Sequence, residues 1–367
     1  MRPLRVTVVD PALDAAAPMW GDATATWQPS GVAWMGLLTA AGVPVRGVAA
    51  LDEEPAGLVI DDRFGRPPDD PAEALSLVRD ALGAVVRPDL RGVLVLRLDD
   101  PGAAVRRHLD SWRHDDVAPA AWASLWDALR GFGRASVFCC PGWVDDDGTV
   151  RPSREASPTE WAALDDGVVA GLIDLECHGF THLHPDTTAW VAAPDRFAAA
   201  EWYREMWPPR EREEPAVEVQ AGILGAWQRA CGRATTLVAP GEAWGANTVA
   251  AARQQGLDLF TSWGVCRLQL DVPVWSCGIG SPYLDEAEPS WLAAGLPAVG
   301  YFHDRDMAVH GPGWVGAQLD AWRDCGATRA WAFADLARAY RTPIDAVLDG
   351  GEVVVRHAPD VPLLIER

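Results

Sequence analysis

The stretch GVLVLRLDD (92–100) is a run of aliphatic residues, broken only by Arg97, that stops abruptly at two carboxylates. It reads as a strong β-strand with Asp99 and Asp100 at its C-terminal end. The same pattern recurs downstream. RASVFCCPG (134–142), GLIDLECHG (171–179), TTLVAPG (235–241), LDLFTSWG (257–264), AVGYFHD (298–304) and the start of RAWAFADLARAY (329–340) are short apolar runs that end in polar or glycine-rich loops. Helical stretches near 217–231, 246–256 and 313–325 separate them. Strands alternating with helices imply a parallel sheet with right-handed crossovers. At least six such strands point to a full or partial (β/α) barrel over 91–340.

Upstream, LRVTVVD (4–10), VPVRGV (43–48) and GLVIDD (57–62) read as further strands. SGVAWMGLLTAAG (30–42) reads as a helix closed by a glycine, and DPAEALSLVRDALGAVV (70–86) as a capped amphipathic helix. Residues 1–90 thus form a smaller N-terminal α/β segment, either an accessory domain or an extension of the barrel. The tail GEVVVRHAPDVPLLIE (351–366), within 341–367, predicts a small β element, and the charged PPREREEP (208–215) an exposed loop.

Composition removes several classes of function. The chain has 367 residues and a net charge of -21, which argues against nucleic acid or an anionic membrane as partner. None of its 31 basic residues is lysine, so Schiff-base chemistry and a Walker-type phosphate lysine are excluded. The N-terminus lacks an apolar stretch of signal-peptide length, because Asp10, Pro11 and Asp14 interrupt it. No run approaches the ~20 apolar residues of a membrane span. Seven scattered cysteines without a CxxC pair suit free thiols in a reducing cytoplasm. The expected partner is a small-molecule or sugar substrate in the cytoplasm; oligomeric state is not legible.

In parallel α/β architectures chemistry gathers at the C-terminal ends of strands. Here those ends carry Asp99-Asp100, His178 with His182 and His184 beyond it, Pro240-Gly241-Glu242, and His303-Asp304. Singly, each has an ordinary explanation: Asp-Asp as a cap or turn, histidine as a satisfied structural residue. An HxxxH pair can lie on a helix, although Gly179 and Thr181 favour a loop or first turn. Together, two imidazoles and a carboxylate make a facial metal site with open positions. A neighbouring carboxylate can act as general base and a further histidine as general acid.

The ordered set LRLDDPG, HGFTH, VAPGEAWG, LFTSWG and YFHD resembles the motif series of polysaccharide deacetylases of the NodB-homology type. That resemblance implies a (β/α) barrel and a divalent metal, zinc first, with cobalt, nickel, manganese or iron as alternatives. It implies removal of an acetyl group, here from an N-acetylated small molecule or amino sugar. Asp99 matches the family's catalytic base, Asp100, His178 and His182 its metal ligands, and His303 its acid. An oxyanion donor is expected from a backbone N–H near Cys139–Gly142. One departure stands out: the third motif of the family carries an arginine that orients the base, and TLVAPGEAWG has none. Arg97 and Arg305 are the candidates to replace it.

The remaining expectations concern substrate and support. For any one of the 19 tryptophans core packing is the ordinary role. Trp244 and Trp263, in motif loops, are the candidates for stacking, with Pro240 and Gly241 beside the substrate. The tryptophans between the first two motifs, Trp112, Trp122, Trp126 and Trp143, suggest either a loop over the site or extra helix packing. Glu176 shares the face of His178 by strand alternation and is a candidate to support it. His184 is an alternative ligand, Glu242 and Asp304 are candidate orienting groups, and His108, His114, His310 and His357 are assigned to surface or structure. Two other readings are kept: hydrolysis of a different C–N bond, including cyclic amides, and an inactive carbohydrate-binding homologue, which the missing arginine would favour.

Overall fold

The strand that decides the fold, β1 (Val93–Asp99), has all seven residues buried. Its side chains alternate between two cores, as a pleated strand requires. Leu94, Leu96 and Leu98 face one that contains Trp122, Leu125 and Trp322, whereas Val93 and Val95 face another with Phe138, Val238 and Phe333. A strand dry on both faces is a central strand of a covered parallel sheet. The computed structural model describes residues 1–13, 30–51, 53, 55–194, 203–207, 213–262, 264–270, 275–276, 283–287 and 289–367.

The other strands of this sheet are β2 (Ala135–Cys139), β3 (Ile173–Cys177), β4 (Thr236–Val238), β5 (Leu259–Thr261), β6 (Val265–Arg267), β7 (Trp275–Ser276), β8 (Ala298–His303) and β9 (Arg329–Trp331). Their spatial order is β7-β6-β5-β4-β3-β2-β1-β8. Every pairing from β5 to β8 along that path is parallel; β6 and β7 add antiparallel strands at one end. That reversal was not expected. Thr261 Oγ1 accepts no part in a crossover here but donates to the Gly264 carbonyl (2.7 Å), closing a tight hairpin in which Thr261 opposes Val265.

The ninth strand is wedged rather than added at an edge. β9 pairs with Val93–Val95 of β1, while β2 pairs with Arg97–Asp99 of the same strand. The two partners divide one side of β1 between them, so the sheet forks at its base. Helix Phe333–Arg341 follows β9, and its first N–H group donates to Ser136 Oγ on β2 (2.8 Å). Among the described residues the end strands β7 and β8 do not pair with each other, so the barrel is incomplete. Helices Pro119–Arg130, Val217–Cys231 and Trp314–Asp324 cover the face of Leu94, Leu96 and Leu98.

At the N-terminus, Val6–Val9 lies between Val45–Val48 and Leu58–Ile60 in a three-stranded parallel sheet with its own core. The helix expected over 70–86 is shorter. It runs from Pro71 to Leu82, capped by Asp70, and ends at Gly83, whose φ of 79° is left-handed. Beyond that stop Val85–Pro88 is a strand, antiparallel to Leu363–Glu366 of the tail. Arg2–Pro3 likewise pairs with Asp345–Asp349. Buried Arg87 locks the tail by bonding Glu366 Oε2 (2.9 Å) and the Gly295 carbonyl (2.7 Å).

The fork has a weak point at Gly133. Its φ is 143°, and a Cβ there would lie 2.0 Å from the Ala330 carbonyl oxygen. Gly133→Ala should therefore push β9 out of the fork and cost about 2 kcal/mol or more, read by denaturant unfolding. The same substitution at Gly131, where a Cβ meets nothing within 4 Å, should change stability little.

Candidate active site

The strand ends converge on a cavity of about 260 Å³. Asp99, Asp100, His178, His182, Gly241 and His303 all line it, together with Arg97, Glu242 and an aromatic wall of Trp112, Tyr203, Tyr283 and Tyr301. Among the described residues only three non-glycine residues have positive φ: Asp100 (78°), His182 (66°) and Glu242 (54°). All three belong to this cavity. Such conformations cost of order 1–3 kcal/mol each and persist where surrounding contacts impose them.

Three donor atoms form a near-equilateral triangle. His178 Nε2 lies 3.1 Å from Asp100 Oδ1, His182 Nε2 lies 3.2 Å from the same oxygen, and the two nitrogens are 3.1 Å apart. The His178 Nδ1 atom is 3.0 Å from the Val238 carbonyl. A carbonyl only accepts, so Nδ1 carries the proton and the neutral ring turns the Nε2 lone pair toward Asp100. Asp100 Oδ1 is buried without a hydrogen-bond partner. A divalent cation resolves this clustering of lone pairs: with bonds of ~2.0–2.1 Å and angles of ~90–110°, its donors would sit ~2.9–3.4 Å apart. The residues fit a metal of the zinc, cobalt, nickel, manganese or iron group. No other set of three His, Cys, Asp or Glu residues among those described is so arranged.

Electrostatics agree with a cation-ready site. Burial opposes ionisation of Asp100, yet the imidazoles of His182 and His178, when they carry a proton on Nε2, hold its carboxyl well below the usual range, a place a bound cation would take. Its second oxygen is committed elsewhere, accepting from Trp112 Nε1 at 2.8 Å. Glu176 does not support His178: its Oε2 accepts from the Thr235 and Thr236 N–H groups (2.7 and 2.8 Å), at the opposite end of the neighbouring strand. The support is the Val238 carbonyl, a backbone group invisible to side-chain alternation.

Asp99 is held by Arg97, two residues earlier on the same face of β1. Arg97 Nε lies 2.8 and 3.0 Å from the two carboxylate oxygens and Nη2 2.5 Å from Oδ2. Both side chains are 2% exposed. The same guanidinium donates to the Ser262 carbonyl (2.9 Å) and to Glu242 Oε1 (3.2 Å). Of the two arginines named as candidates to hold Asp99, Arg97 is the one in contact with it. Arg305 has another place, over the Trp112 ring. Glu242, a candidate orienting group, touches Arg97 rather than Asp99.

His303 stands beside Asp99 in register, on the adjacent strand β8. Its Nδ1 is 3.4 Å from Asp306 Oδ2, and its backbone N–H donates to the same oxygen at 2.8 Å. Burial would lower its pKa, but Asp306, Asp100 and Asp99 raise it. Asp304 instead faces away, with His114 Nε2 at 3.3 Å. His184, the alternative ligand, accepts from the Asp186 N–H at its Nδ1 (3.0 Å) and lies outside the donor triangle.

Three expectations are corrected. Trp244 is not a stacking platform: it is 4% exposed in the core, its ring edge against Phe260 at 4.8 Å. Pro240 is also buried, packed beside Gly179, and only Gly241 of that pair reaches the cavity. Of the N–H groups expected to face an oxyanion, that of Cys140 donates to the Pro101 carbonyl (3.1 Å) and that of Gly142 to the Phe180 carbonyl (2.8 Å), while Pro141 has none. Trp263 lies outside the described residues.

Glu205 is the principal residue that sequence reasoning missed. Its buried carboxylate accepts from the N–H groups of Phe180 (2.7 Å), Thr181 (3.0 Å) and His182 (3.1 Å) and from Thr181 Oγ1 (3.1 Å). It thereby fixes the HGFTH loop and the left-handed His182. Gly179 is needed for this: a Cβ there would lie 2.4 Å from Glu205 Oε2. Tyr203, two residues earlier, stacks on His182 with centroids 5.4 Å apart. Beneath the Asp99-Asp100 turn, Glu160 accepts from Gly102 N (3.0 Å) and Arg106 Nη1 (3.2 Å). Burial raises its pKa to about 7 although Arg106 opposes the shift.

No protein-family model matches this chain, and no curated protein matches it. Solved structures to which it is similar include a family 4 carbohydrate esterase from Streptomyces lividans in complex with acetate, at 14% identity over 63% of this chain and 88% of that one, with a TM-score of 0.33. A chitin deacetylase from Colletotrichum lindemuthianum is 13% identical over 68% and 88%, with a TM-score of 0.35. A family 4 pseudoenzyme from Bacillus anthracis is 9% identical over 67% and 66%, with a TM-score of 0.37.

Glu205→Ala should cost about 2–4 kcal/mol in denaturant unfolding, because it strands several buried donors at once. A loss under about 0.5 kcal/mol would mean that the loop holds itself. Glu160 gives a pH signature. Its folded pKa of about 7 exceeds the unfolded value of 4.5, so the wild type loses stability as pH rises through that window. Stability of Glu160→Gln relative to wild type should therefore rise between pH 4.5 and 7 by ~1–3 kcal/mol, and be flat below pH 4.

Proposed function

We propose that this chain is a metal-dependent hydrolase that removes an acetyl or other acyl group from an N-acylated small molecule or amino sugar. The observation that carries the reading is the donor triangle of Asp100, His178 and His182 with Asp99, held by Arg97, and His303 beside it on the same cavity wall. When bound, the metal would supply Lewis acidity to polarise an acyl carbonyl and to acidify water.

The protein's own groups do the rest. The Arg97 fork fixes the plane of the Asp99 carboxylate and aligns it as proton acceptor for the attacking water. Because most of the Arg97 donors are taken by Asp99, Glu242 and Ser262, its main part is to orient Asp99. His303, with its pKa raised by Asp306, is suited to stay protonated near neutral pH and to give its proton to the departing nitrogen. The cavity admits a small acyl group and the atoms next to it, and Tyr283, Tyr301 and Trp112 bound the side on which the rest of the substrate would lie.

The reading as an inactive binding protein rests on the arginine absent from the third motif, and the Arg97–Asp99 pair weighs against it. The six described cysteines are thiols, which favours action in a reducing compartment, the cytoplasm.

Acetate release from a panel of N-acetyl amino sugars and small N-acetyl amines tests the reading. Asp99→Asn should lower kcat/KM by ~10²–10⁴-fold with metal retained, and His303→Ala should lower it by ~10²-fold or more. Arg97→Lys, which cannot reproduce the fork, should reduce kcat ~10-fold or more with little change in KM. Release of acetate by Asp99→Asn at the wild-type rate would sink the proposal.

A further inference from the structure

We infer that Trp112 is a positioning residue for the metal centre: its indole N–H takes one oxygen of Asp100, leaving the other alone to face the metal. The inference rests on reading Asp100, His178 and His182 as metal ligands. Trp112 ends a short turn, Asp110–Trp112, that follows the strand-end carboxylates by twelve residues, and its own N–H is anchored on the Leu109 carbonyl (2.9 Å).

The geometry separates the two carboxylate oxygens cleanly. Oδ2 accepts from Trp112 Nε1 at 2.8 Å, whereas Oδ1 lies 3.1 and 3.2 Å from the two imidazole nitrogens and has no other partner. A carboxylate pinned at one oxygen is held as a single-atom ligand and cannot swing to bind through both. That keeps further coordination positions open for water and substrate.

The same ring meets the other side of the site. Its centroid is 4.9 Å from that of His303, with the planes at 90°, and the Arg305 guanidinium covers it at 5.4 Å. One rigid indole therefore spans the metal ligand and the candidate acid. Other tryptophans show what a packing role looks like here. Trp122 and Trp161 bury their Nε1 atoms without a hydrogen-bond partner, and Trp227 and Trp322 donate theirs to backbone carbonyls, whereas the partly exposed Trp112 gives its N–H to the side chain of Asp100.

Trp112→Phe keeps an aromatic side chain but removes the N–H together with part of the ring's bulk, so Trp122→Phe, which loses the same atoms elsewhere, is its control. The full chain, stripped of metal, is titrated with zinc against a chromophoric chelator. Trp112→Phe should raise the zinc Kd by ~10–100-fold, the usual effect of losing a group that orients a ligand. With cobalt(II) in place of zinc, its visible spectrum should change as Asp100 becomes free to bind through both oxygens. Trp122→Phe, which removes a buried indole N–H outside the cavity lining, should leave the Kd unchanged. A Trp112→Phe Kd within about twofold of wild type, or an equal loss in Trp122→Phe, overturns the inference. A wild-type chain that binds no zinc would instead overturn the metal reading itself.

Discussion

A guanidinium with almost no exposed surface sits near the end of the central strand, and the candidate site is organised around it. Arg97 reaches Asp99 on its own strand, Glu242 from the loop after β4, and the Ser262 carbonyl from the hairpin after β5. A buried charge is tolerated only when its hydrogen-bonding capacity is met, so this one cation constrains three strand ends at once. The fork geometry of arginine is essential to that role, because a point charge could not address carboxylate and carbonyl partners in fixed directions.

Around this anchor the backbone is held in conformations it would not choose alone. Asp100, His182 and Glu242 are left-handed, and each follows a different strand. The constraint comes from outside each residue. The Asp100 N–H is taken by the Phe138 carbonyl (3.1 Å), that of His182 by Glu205, and that of Glu242 by the Ala239 carbonyl (3.1 Å). The result is a set of donors whose positions are set before any ligand arrives, which is how a metal or transition state is recognised without a large reorganisation.

Much of this was legible in the residues. Period-two alternation places Arg97 and Asp99 on one face of a strand, and an apolar run ending in Asp99-Asp100 marks the end of a buried strand in a parallel sheet. The histidines of HGFTH were readable for the same reason, since they follow another such run. Contacts between segments distant in sequence were not. Glu205 lies 23 residues past His182 in a segment with no periodic signal, and Val238 contributes a carbonyl that any residue would carry. Trp244 misled because a large aromatic in a motif loop suits a pocket wall and a core equally, and only packing separates the two.

The sequence by itself determined the alternation of strands and helices, the short-range pairing on β1 and the residue types needed to hold a metal. Those depend on local periodicity and on side-chain chemistry, which travel with the chain. The tertiary structure alone decided that β9 splits the base of β1 and that the tail joins the N-terminal strands. It alone decided which carbonyl fixes the tautomer of His178 and which indole occupies Asp100. These contacts span from 12 to 346 residues and depend on how the sheet curls, so no local pattern records them.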